Sequence, residues 1–174
     1  MDAFIEITKI VLPSLIVLYG MFLVVKSFLE KYYETSLAKI RLETHEQTLS
    51  LRLQAYERMV IFLERIKPNH LITRLSDTDL DAIAFQSYLV MNIREEYNHN
   101  LSQQVYMSNE AWNLITVAYE EIISLINRSA EGLSSQNKAI DLAKNILDNY
   151  ASAQHYPIET AILYLKNEVR ELYQ

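Results

Sequence analysis

Apolar positions are spread unevenly along the chain, and the densest run comes first. Ile10 to Val25 (IVLPSLIVLYGMFLVV) is sixteen residues without a charge, set between Lys9 and Lys26. A segment apolar on every face predicts a helix in lipid rather than one face of a soluble core. Sixteen residues rise about 24 Å against a hydrocarbon thickness of about 30 Å, so the span must draw on Phe4, Ile5 and Ile7 before it and Phe28 and Leu29 after it. Lys9 and Lys26 would snorkel to the headgroups, and Tyr32 and Tyr33 would sit at the interface. Pro13 lies near the start, where its missing N–H costs least, and Tyr19 and Gly20 fall inside the span. The mixed charges Asp2, Glu6 and Lys9, with no small-residue cleavage motif after the run, read as an uncleaved anchor. Basic residues concentrate after the run (Lys26, Lys31, Lys39, Arg41), which puts the N-terminus outside and residues after about 26 in the cytoplasm.

The remainder reads as helices. No glycine or proline interrupts residues 27–67, so the anchor should continue as a long helix, its first part (30–48) a thinly apolar stalk. Leu49, Leu53, Tyr56, Val60 and Leu63 then step by 4, 3, 4, 3, and Leu51, Ala55, Met59, Phe62 and Ile66 form a second stripe. Two stripes need partners on two sides, which predicts a bundle core rather than a free coiled coil. Pro68 ends this helix. Residues 69–75 read as a connector, Ser76 and Asp79 as a capping box, and Thr78 to Asn98 as a helix. HNLSQQVYM breaks the periodicity and reads as a loop or an extended bridge. Ser108 caps a strongly apolar helix over 109–130, with Trp112 in the core and Gly132 as its stop. Ser134 or Ser135 opens the next helix, to about Ala151. Pro157 starts the last one, whose seam is Ile158, Ile162, Leu165, Val169 and Leu172. The expected fold is therefore all-α: an N-terminal transmembrane helix (1–29), a helical stalk (30–48) and a cytoplasmic bundle of about five helices (49–174).

Two glycines and three prolines in 174 residues argue against a β-rich fold. The net charge of −6 disfavours broad binding to nucleic acid. The lack of cysteine is compatible with a cytoplasmic domain and decides nothing.

The blocks LRLQAYERMVIFLERIKP (51–68) and IREEYNHNLSQQVYMSNEAW (93–112) resemble a family of small, uncharacterised single-pass membrane proteins of Bacteroidota-type bacteria. That resemblance implies a helical protein of the inner membrane and carries no activity.

Chemistry-bearing patterns are sparse. The four histidines lie in separate segments, and only Glu96 and His99 form an E-x-x-H pair. A carboxylate-bridged di-metal bundle needs two such pairs, so no metal or other cofactor is expected. Phosphate-cradling glycine loops and the familiar nucleophile motifs are missing. Arg94 and His99 form an R-x4-H string similar to the motif of HEPN ribonucleases, in which Arg94 would stabilise phosphate charge and His99 transfer protons. A second such string, Arg65 to His70, crosses Pro68. Residues five apart on one helix point about 140° from each other, which weakens that reading. The alternative is that Arg94 pairs with a neighbouring acid and His99 sits at a helix end. The polar cluster from Asn98 to Gln104 reads as backbone satisfaction at a helix break rather than a binding loop. The function expected is a non-enzymatic, membrane-anchored interaction or scaffold protein. Its partners would be the lipid bilayer and either a second copy or another membrane protein, with a metal-independent ribonuclease as the alternative.

Overall fold

Pro68 divides the long first helix from everything after it. Helix α1 (Asp2–Ile66) stops as Lys67 turns to an extended ψ of 133°, the conformation forced on a residue before proline. Proline also suits a first helical position, because φ is already set and no N–H is wasted. The supposed connector is therefore a short helix, α2 (Pro68–Leu75), which buries Leu71, Ile72 and Leu75 on one face. The computed structural model describes residues 2–76, 80–154 and 156–172, without the side chains of residues 2–11, 13, 38 and 41–46. Asp77, Asp79 and His155, and the side chain of His45, thus fall outside what is described.

Helix α3 (Ala82–Asn100) starts later than its pattern predicts. Asp81 is its cap: the carboxylate accepts the Ala84 N–H at 2.8 Å. The helix also runs on through His99 and Asn100. The expected loop is mostly a 3₁₀ turn (Leu101–Tyr106) leading to Ser108, whose hydroxyl accepts the Ala111 N–H at 3.1 Å and opens α4 (Asn109–Ser129). Gly132, at φ +82°, follows its end. Ser134 does not open the next helix. It forms a turn with Asn137, whose side chain accepts the Ser134 N–H at 2.9 Å, and α5 (Ala139–Ala151) begins beyond it. Asp141 accepts the Lys138 N–H at 2.9 Å. Two backbone hydrogen bonds, Ala82 N–H to Asn137 O (3.0 Å) and Ala139 N–H to Leu80 O (3.2 Å), pin the starts of α3 and α5 together. Helix α6 (Pro157–Glu171) carries Pro157 in its first turn.

The chain divides into two units, Met1–Thr48 and Leu49–Gln174. In the second, α4 lies against α3, α5 and α6, and α2 against α3 and α5. The stripe Ala55, Met59, Phe62, Ile66 is wholly buried, with Tyr56 and Leu63 beside it. The opposing core residues are Phe85, Leu89 and Ile93 of α3, Ile115, Ile122 and Ile126 of α4, Leu142 and Ile146 of α5, and Ile158 and Leu165 of α6.

The first unit requires a correction. Among the described residues, no helix is long and apolar enough to cross a membrane, which overturns the expected transmembrane helix. The physical reason is that α1 is long but its charge-free run is not. The sixteen residues between Lys9 and Lys26 fall about 6 Å short of the hydrocarbon thickness. Extension beyond Val25 brings in Lys26 at once, and Glu30 and Lys31 within six residues.

Candidate functional site

Arg94 and His99 are both exposed on the uninterrupted helix α3. At about 100° per residue they project roughly 140° apart, so one chain does not bring them to a common point. Arg94 lines a groove of about 420 Å³ between α3 and α4 with Gln86, Ser87, Val90, Met91, Glu95, Asn98 and Asn127; His99 is not part of it. Gln86 closes one end by donating to the Asn127 side chain at 3.0 Å. Arg94 makes no ion pair among the described residues; Glu96, two residues on and facing the other side of the helix, pairs with Arg65 of α1 at 3.3 Å. Among the described residues no three His, Asp or Glu side chains converge as a metal site would require. In the polar cluster, Asn100 is buried and its amide donates to Glu96 O at 2.8 Å, while Gln104 donates to Leu101 O at 2.9 Å. Those bonds satisfy backbone carbonyls where α3 gives way to the 3₁₀ turn.

Two polar clusters that the sequence did not announce tie distant segments together. In the first, Glu168 of α6 accepts both the N–H (3.3 Å) and the hydroxyl (3.0 Å) of Ser108 at the start of α4. Arg52 of α1 donates to Tyr106 O at 3.2 Å. Between them the Tyr56 hydroxyl is buried with no partner in hydrogen-bonding geometry. Burial, and then the Glu168 carboxylate beside it, push its pKa up to about 12. In the second, Lys67 bridges Glu64 (2.9 Å) and Glu159 (3.7 Å), and the Tyr150 hydroxyl donates to Glu159 at 3.1 Å. Burial and the Glu159 charge raise the Tyr150 pKa well above its ordinary value. Both clusters join helix ends and contain no convergent reactive pair. Their contacts span up to 60 residues, which no local pattern encodes.

The remaining candidate is apolar. From Leu12 to Leu29 the described large hydrophobic side chains of α1 are all exposed, from 46% to 70%. Of the expected anchor residues, Tyr19, Tyr32 and Tyr33 are 61–65% exposed and Gly20 has open space around it. Lys26 lies 3.9 Å from Glu30 along its own helix, and Tyr32 stacks on Phe28 with ring centroids 6.3 Å apart. The side chains of Lys9 and Pro13 lie outside the described residues.

A family model described as a family of unknown function (DUF7935) matches residues 2–172, the apolar segment and the helical domain alike. The chain belongs to the DUF7935 family. No curated protein and no solved structure matches it. DUF7935 membership thus covers both blocks of the resemblance, 51–68 and 93–112, and supplies a family without an activity.

Proposed function

We propose that this protein is a non-catalytic interaction module that self-associates through the first part of α1. The observation that carries this is the thirteen large apolar side chains between Leu12 and Leu29 that stand in solvent on all sides of the helix. Exposed apolar area of this extent is far outside what isolated surface residues present, and it calls for a cover. Each such side chain contributes about 1.5–3 kcal/mol when fully buried. If half of them gain about 1 kcal/mol each, two copies together gain on the order of 12 kcal/mol. That is comparable with the roughly 4–15 kcal/mol that association costs in lost freedom. The helical domain from Leu49 to Gln174 would then be displayed in several copies, and its grooves presented to a partner with raised effective concentration.

Sedimentation of the full chain over a range of concentrations tests the proposal. Dimers or higher species are expected, converting to monomer when Leu18, Phe22 and Val25 are replaced together by Glu. A monomer at every concentration, in the unsubstituted chain, overturns it.

A further inference from the structure

Resting on that reading, we infer that the α1 segments of two copies associate along one seam, Leu15, Leu18, Phe22, Val25, Leu29 and Tyr32. These residues step by 3, 4, 3, 4, 3, the a and d spacing of a heptad, over three repeats. All six are exposed, between 46% and 68%, so each is free to enter a neighbouring helix.

The segment up to Val25 is apolar on every side and so does not choose a face by itself. The turns just after it do. At about 100° per residue, Phe28, Leu29, Tyr32 and Tyr33 fall within one arc of about 140°. Lys26, Glu30, Lys31 and Glu34 fall within an opposite arc of similar width. Lys26 and Glu30 also engage one another at 3.9 Å on that flank, away from the seam. Following Leu29 and Tyr32 back by the same heptad steps leads to Val25, Phe22, Leu18 and Leu15. Gly20 projects to the reverse side.

A second copy packed on this seam, in either direction, places apolar turns on apolar turns and leaves Lys26, Glu30, Lys31 and Glu34 at the periphery, in water.

The chain contains no cysteine, so a single introduced thiol reports on its own copy in the partner. Leu15→Cys, Tyr32→Cys and Gly20→Cys would each be made in the full chain, expressed in cells and oxidised mildly in place. All three positions are exposed, and far-UV circular dichroism checks that helicity is kept. Disulfide-linked dimers at the seam positions, from Leu15→Cys and Tyr32→Cys each alone if the helices run parallel or from the two mixed if they run antiparallel, but not from Gly20→Cys, are the expected result. Cross-linking of Gly20→Cys with none at Leu15→Cys or Tyr32→Cys, alone or mixed, overturns the seam while self-association stands. Equal cross-linking at all three positions would remove the seam. No cross-linking at any position, together with a monomer in sedimentation, would end both proposals.

Discussion

The Tyr97 ring is the centre of the largest aromatic cluster among the described residues, and replacing it separates two contributions that are usually confounded. Its centroid lies 4.1 Å from that of Tyr119, nearly parallel, and 5.7 Å and 5.9 Å from those of Trp112 and Phe62. Its hydroxyl is 3.2 Å from Thr116 Oγ1. Thr116 already spends its one proton on Trp112 O at 3.0 Å, so Tyr97 is the donor and Thr116 the acceptor. Tyr97→Phe therefore keeps every ring contact and removes one hydrogen bond, at a cost of about 0.5–1.5 kcal/mol, toward the lower end because the site is only half-buried. Tyr97→Leu keeps most apolar area but removes three aromatic pairs worth about 0.5–1.5 kcal/mol each, so it should cost about 2–4 kcal/mol. Trp112 is the sole tryptophan and touches this ring, so its fluorescence during urea unfolding reads the cluster directly, with circular dichroism as a second probe. A Tyr97→Leu midpoint no lower than that of Tyr97→Phe would refute the claim that ring stacking, rather than area alone, holds α1, α3 and α4 together. A cycle with Thr116→Val then isolates the hydroxyl pair, for which a coupling near 0.5 kcal/mol or above is expected.

Further outcomes follow from the caps and the buried phenols. Asp81→Ala should cost about 0.5–2 kcal/mol in urea unfolding by uncapping α3, and Asp81→Asn much less. Ser108→Ala should cost more than Asp81→Ala, because Glu168 loses a partner on the neighbouring helix as well. Gly132→Ala should destabilise by about 1–2 kcal/mol through its positive φ alone, since nothing crowds the position, whereas Gly20→Ala in mid-helix should leave helicity equal or higher. The Tyr56 phenol ionises at about 12 when folded and near 10.0 when unfolded, so the unfolded chain releases that proton first. The stability tied to its neutral form is complete below pH 10 and falls away between pH 10 and about 12. Tyr56→Phe should flatten that decline in the urea midpoint, and an unchanged slope would contradict the burial argument.

Local pattern carried much of the domain. The buried stripe Ala55–Met59–Phe62–Ile66, the stop before Pro68, the Ser108 cap and the start at Pro157 all follow from residues within one or two turns of each other. The misses have equally definite causes. Pro68 both ends one helix and starts another, and its second role depends on Leu71, Ile72 and Leu75 finding a shared core face. Ser134 has the chemistry of a cap, but its neighbours fold into a turn with Asn137, and the bridge to Leu80 and Ala82 sets where α5 begins. Neither outcome is visible without the packing partner. The N-terminal run was misjudged by making up its missing length with Phe4, Ile5 and Ile7 before it and Phe28 and Leu29 after it, when Glu6, Lys9 and Lys26 lie among those residues.

By itself the sequence determined the helical class, most helix boundaries and the separation of charges from apolar residues along Lys26 to Glu34, because these depend on periodicity and on groups one turn apart. Only the tertiary structure decided that Glu168 reaches Ser108 and that Tyr56 is sealed beside them. Those facts depend on which helices meet, and burial and hydrogen bonding across such meetings join residues that the chain order keeps far apart.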